Sequence, residues 1–170
     1  MEADRGMEET IGYLQNRFKD EQSRFDHFEN KCAKFLTAVS IVIAALSALA
    51  GLKNGLLFQL SSPISVLIFC AFAAAAICIG CSWSHAFSAL RISDCPTLPS
   101  SRVTAEYLKN VDAEQQQLHI YNCYIDTLEK LKAAIDEKSK PLELAYSELV
   151  YGAGFIALLA ALITLRELSA

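Results

Sequence analysis

Residues 64–84 read ISVLIFCAFAAAAICIGCSWS, and this stretch decides what kind of protein the chain is. It contains no charged side chain and lies inside a longer uncharged run, Asn54–Leu90, of 37 residues. Crossing a hydrocarbon core of about 30 Å takes about 20 helical residues at about 1.5 Å each. Two further uncharged runs, Phe35–Leu52 with 18 residues and Leu149–Leu165 with 17, reach that length with help from Lys34 and Tyr146 at their edges. A soluble chain of 170 residues has no use for three such runs. The expected fold is therefore all-α: an integral membrane protein with three transmembrane helices and long helical extensions.

The remaining composition supports a division into two materials. Hydrophobic residues make up 53% of the chain, yet charged residues still reach 20%. Apart from Lys53, Arg166 and Glu167, every charge lies in Met1–Lys34 or in Arg91–Glu148. Four segments follow: an amphipathic helix over 1–34, two spans over 35–90, a long helix over 91–147, and a third span with a short external tail over 148–170. The net charge of −4 gives no basic patch for nucleic acid.

Residues 1–30 carry eight carboxylates, the opposite of a basic n-region followed by an apolar h-region, so Phe35–Leu52 is expected to act as an uncleaved signal anchor. Lys and Arg set the orientation. Arg17, Lys19, Arg24, Lys31 and Lys34 precede the first span, and Arg91, Arg102, Lys109, Lys130, Lys132, Lys138 and Lys140 follow the second. The 53–61 loop holds only Lys53 and the tail only Arg166. This bias puts the N-terminus and the 91–148 segment in the cytoplasm, leaving the short loop and tail outside.

The charged segments are patterned for packing. Ile11, Leu14, Phe18, Phe25, Phe28, Cys32 and Phe35 recur at spacings of three and four, interrupted by Glu21, which is a heptad stripe. No proline interrupts Met7–Leu52, so these residues read as one helix or two nearly collinear ones. Two prolines in Asp94–Ser101 mark a break, after which Ser101 is suited to cap a helix over 102–139. Tyr107, Val111, Leu118, Tyr121, Ile125, Leu128 and Ile135 form its stripe, with Asp112 on the solvated face. Such a helix is expected to pack on the N-terminal helix or on that helix in another copy. Pro141 is expected to end or kink it before the third span. The assembly stripe comprises Ile11, Leu14, Phe18, Phe25, Phe28, Leu118, Tyr121, Ile125 and Leu128.

Within the first span, Thr37, Ser40, Ala44, Ser47 and Gly51 form a narrow line of small residues. Small side chains let helices approach closely, so packing is the favoured reading. A wettable lumen in an oligomer is the alternative. The second span carries Ala74, Cys78, Cys81, His85 and Ser88 on one line. Three soft ligands on one helix make a poor tetrahedron, so packing residues and an interfacial His85 beside Trp83 are preferred to a metal site. The third span carries Gly152, Gly154, Ala157, Ala161 and Thr164, a pattern of tight crossing or hinge. The six cysteines divide evenly between spans and charged segments, which suits reduced thiols rather than a disulfide framework.

Catalytic patterns are missing from the sequence: there is no phosphate loop, metalloprotease helix or nucleophile elbow. Carboxylates such as Asp126, Glu129, Asp136 and Glu137 lie in a charge run that reads as a solvated face. No acidic residue lies mid-span, which argues against a proton-coupled transporter. Neither an enzyme nor a resident cofactor or metal is expected.

Two junctions carry a family resemblance. Glu29-Asn30-Lys31-Cys32-Ala33-Lys34-Phe35-Leu36 leads from a charged helix into the first span, and Ile135-Asp136-Glu137-Lys138 followed by Leu142-Glu143-Leu144-Ala145 leads into the last. Over roughly residues 20–165 the chain resembles the small membrane effectors of bacterial antiphage systems, most closely the Pycsar transmembrane effectors and more distantly the SLATT effectors. The resemblance implies an abortive-infection effector of the bacterial inner membrane that, once activated, self-associates and permeabilises it. The implied partners are membrane lipid, further copies of the chain, and a cyclase or nuclease of the same defence system. The trigger stays open among a cyclic nucleotide, a phage protein and a partner enzyme, and no nucleotide-binding residues carry over. Membrane accessory proteins of RNA-targeting CRISPR systems share the design. The second reading is accordingly a non-conducting adaptor that docks a soluble partner.

Overall fold

The computed structural model describes residues 2–52, 62–91 and 95–168. The proposed outside loop 53–61, the residues Ser169 and Ala170 of the tail, and Asp94 of the two-proline break lie outside these residues. The described residues form four helices: α1 (Glu2–Leu52), α2 (Pro63–Arg91), α3 (Arg102–Asn110) and α4 (Ala113–Leu168). The all-α expectation holds, and α1, α2 and α4 are each long and apolar enough to cross a membrane.

Local chemistry sets the helix ends. α1 is a single helix across its charged and apolar parts. Pro63 opens α2, where its missing N–H costs nothing, and the Ser62 hydroxyl accepts the Ser65 N–H at 3.2 Å. Ser101 caps α3 as expected, accepting the Thr104 N–H at 3.2 Å.

Two expectations about the following helix need correction. The stretch 102–139 is broken, because Val111 is extended (φ −98°, ψ 161°) and Asp112 starts a new helix. The Asp112 carboxylate accepts the Gln115 N–H at 2.9 Å, which makes it an N-cap rather than a mid-helix surface residue. In addition, of the end or kink expected at Pro141, the end does not occur: α4 runs through the proline. An interior proline removes one backbone bond at a cost of about 3 kcal/mol. Buried neighbours on both sides, Lys138, Leu142 and Ala145, keep the segment helical.

The chain divides into two units, Met1–Asn30 with Ile92–Lys138, and Lys31–Arg91 with Ser139–Ala170, so α1 and α4 contribute to both. The first is the charged unit. Its core is Phe18 and Phe25 of α1 against Leu131, Ala134 and Ile135 of α4, with Cys95, Leu98, Tyr124 and Leu128 around them. The Phe18 and Tyr124 rings meet edge to face at 6.0 Å. Lys138 is also buried here, its side chain 1% exposed. Its Nζ donates to Glu29 Oε1 at 2.7 Å and lies 4.3 Å from the centre of the Phe25 ring. Burying an ammonium is tolerated only with such a partner.

The second unit is apolar. Ile68 and Ala71 of α2 pack with Leu159 of α4, surrounded by Leu49, Phe72, Leu162 and Ile163.

The Lys138 pair generates the first prediction. Glu29→Gln leaves a buried ammonium facing a neutral amide, whereas Lys138→Met removes the charge and keeps an apolar stem. Glu29 is partly hydrated, so the cost of Glu29→Gln is expected at about 1–3 kcal/mol, and Lys138→Met is expected to cost less. Thermal unfolding in detergent micelles gives the order directly, and the reverse order would contradict the pairing.

Candidate functional site in the membrane-length helices

Most of the apolar surface of the second unit points outward. Ile41 of α1 is 66% exposed, Ile77 of α2 66% and Val150 of α4 69%. Fully burying such a side chain is worth about 1.5–3 kcal/mol, so this surface is poorly suited to water and well suited to a bilayer.

The inward contacts use the large side chains. Phe35, Val39 and Leu46 are the buried face of α1. The Phe35 and Tyr146 rings meet at 4.5 Å. On α4, Gly152 packs tightly on α2: a Cβ there would stand 2.6 Å from Ile79 Cδ1 and 3.5 Å from Cys78 Cβ. The Ser82 hydroxyl, fully buried, donates to the Ala145 carbonyl oxygen at 2.7 Å and ties α2 to α4. The Trp83 indole N–H donates to Ser40 Oγ at 3.1 Å and ties α2 to α1. The Trp83 ring also stacks on Phe87 at 5.4 Å.

The line Thr37, Ser40, Ala44, Ser47 and Gly51 lies on the outer surface of α1, every member exposed. Its hydroxyls turn back onto their own helix. Thr37 donates to the Ala33 carbonyl at 2.9 Å, Ser40 to Leu36 at 2.8 Å and Ser47 to Ile43 at 2.9 Å. Beside the line, Ser47 borders an apolar groove of about 400 Å³ between α1 and α2, with Leu46, Ala50, Phe72 and Ala76 among its walls.

The α2 line is less uniform. Cys81 and Ser88 are exposed, while Ala74, Cys78 and His85 are half-buried. His85 Nε2 lies 3.5 Å from Glu148 Oε1 on α4, and Glu148 Oε2 is buried without a hydrogen-bond partner among the described residues. Among the described residues, no three His, Cys, Asp or Glu side chains gather as a metal site. On α4, Gly152 makes the tight crossing, whereas Gly154, Ala157, Ala161 and Thr164 are exposed.

In the charged unit, the assembly stripe is mostly used within the chain. Leu14, Phe18 and Phe25 are buried, Ile11, Phe28, Tyr121, Ile125 and Leu128 are half-buried, and Leu118 is 50% exposed. Glu21, the polar interruption, is held by Arg17 at 3.2 Å and Arg24 at 3.4 Å.

Sequence reasoning missed the tertiary polar contacts Ser82–Ala145, Trp83–Ser40 and His85–Glu148. The residues of each pair lie far apart in sequence, and no periodicity links them. Comparison of the chain with protein-family models, curated proteins and solved structures finds no match.

Two glycines in one turn of α4 give a matched test. Gly152→Leu must displace Ile79 and is expected to cost about 1–3 kcal/mol. A Cβ at Gly154 meets nothing within 4 Å among the described residues, so Gly154→Leu is expected to be neutral in the isolated chain. Melting temperatures of the two variants in micelles check the difference.

Proposed function

We propose that this chain is a bacterial inner-membrane effector that self-associates and permeabilises the bilayer, acting in antiphage defence with its N-terminus in the cytoplasm. One observation carries the reading. The small-residue line of α1 is exposed along its length, although large apolar residues of the same helix pack inward. Small residues on a lipid-facing surface give weak contact with acyl chains and allow close contact with another helix. The Lys and Arg bias around the spans supports the orientation, and the resemblance at the two junctions supports the defence setting.

Interhelical contacts of this kind contribute about 1–2 kcal/mol, so losing one weakens each association step by about tenfold. Ala44→Leu combined with Ser47→Leu fills the line and spares Ser40, which also holds Trp83. The wild-type protein in liposomes is expected to release a trapped dye, and the double variant to release it about tenfold more slowly at equal protein density. Equal rates would remove the α1 line from the mechanism.

The adaptor reading has its own support in the charged unit, where Tyr13 and Val103 are 63% and 75% exposed. Large apolar side chains outside the membrane-length segments offer contacts to a soluble partner. Absence of any leakage by the purified protein, with a soluble partner retained by the charged unit, would favour this second reading.

A further inference from the structure

The charged unit contains a pocket that the membrane reading does not use. It lies between the 95–101 segment, α3 and α4 and has a volume of about 270 Å³. Leu98, Pro99, Leu108 and Ile120 make its walls mainly apolar. Two of its lining residues carry chemistry. His119 and Cys123 are four residues apart on α4, which brings them to one face of the helix. Cys123 Sγ lies 3.5 Å from His119 Nε2, and both side chains are half-buried. The Tyr107 ring of α3 lies 4.9 Å from the imidazole, tilted by 56°.

We propose that Cys123 is a nucleophilic thiol served by His119 as base, and that the pocket admits small uncharged electrophiles whose carbon–carbon double bond is conjugated to a carbonyl. With its ring proton on Nδ1, His119 accepts the thiol proton at Nε2. The sulfur then forms a bond to the β-carbon of the alkene. The π bond breaks, and its electron pair passes through the enolate to the α-carbon. The imidazolium returns its proton there. The product is a neutral thioether with the imidazole restored, and no oxidant or further reactant is needed.

The other cysteines have different surroundings. Cys95, in the same unit, is disfavoured as a thiolate: burial raises its pKa, the Asp26 and Glu29 carboxylates raise it further, and Lys138 offsets part of the shift. Cys32 is buried, and Cys70, Cys78 and Cys81 lie in the membrane-length helix α2. Cys123 thus has both a base and a cavity beside it.

The test uses the full chain in detergent micelles with sub-stoichiometric N-ethylmaleimide, followed by proteolysis and mass spectrometry of each cysteine. Alkylation of Cys123 is expected to be at least about tenfold faster than that of Cys95. His119→Gln is expected to slow Cys123 by about tenfold or more and leave Cys95 unchanged. A maleimide bearing a sulfonate is expected to lose the preference for Cys123. Cys95 reacting as fast as Cys123 in the wild-type protein would overturn the proposal without any variant. An unchanged Cys123 rate in a folded His119→Gln protein would overturn the part assigned to the imidazole, and equal preference with the sulfonated reagent would overturn the selection by the apolar pocket.

Discussion

Apolar side chains that find no place in a protein interior need a solvent other than water. This constraint organises the chain. A helix has one inward face, and in a unit built from three of them most side chains of each helix remain outside. Here the outer faces of α1, α2 and α4 also carry large apolar side chains, as Ile41, Ile77 and Val150 illustrate. A bilayer satisfies these faces, and the continuous helical backbone satisfies its own N–H and C=O groups within it. The few inter-helix polar contacts, Ser82 to Ala145 and Trp83 to Ser40, then gain orientation value that apolar packing alone lacks.

The charged unit solves the complementary problem. It is too small to stabilise itself with a large apolar core, and its central cluster is five buried residues with partly buried neighbours. Lys138 extends that core by an unusual means. Its stem fills space beside Phe25 while its ammonium is satisfied by Glu29 and by the ring face. The same two charges, with Asp26, set the surroundings of Cys95. One pair, buried at its Lys138 end, thus links the packing of α1 on α4 to the surroundings of the segment between α2 and α3.

Much of this architecture is legible in the sequence because it depends on absences: no charge over Ile64–Ser84, and no proline over Met7–Leu52. Long helices follow from such absences with little tertiary information. The break at Val111–Asp112 also has a local signature. Asp112 is followed three positions later by Gln115, the spacing of a capping box, but a hydrophobic stripe continuing past it makes the same residue look like part of a solvated face. Pro141 misleads in the opposite direction, since a strong local helix breaker is overridden by buried residues around it. Lys138 is read most naturally as a solvated surface charge. Its burial depends on Glu29 and Phe25, more than a hundred positions away, and no local rule connects them.

The α1 line shows how a membrane-length helix can satisfy its own hydroxyls and still be suited to assembly. An unsatisfied hydroxyl in hydrocarbon would force immediate association, because its donor has no water to meet. Thr37, Ser40 and Ser47 avoid that by donating to carbonyls of the preceding turn. Their small volume remains available for a close helix contact, while hydrogen bonding no longer compels one. In the assembly proposed above, association through this face would rest on packing energies of about 1–2 kcal/mol per contact, small enough for a modest change to decide between separate and assembled copies.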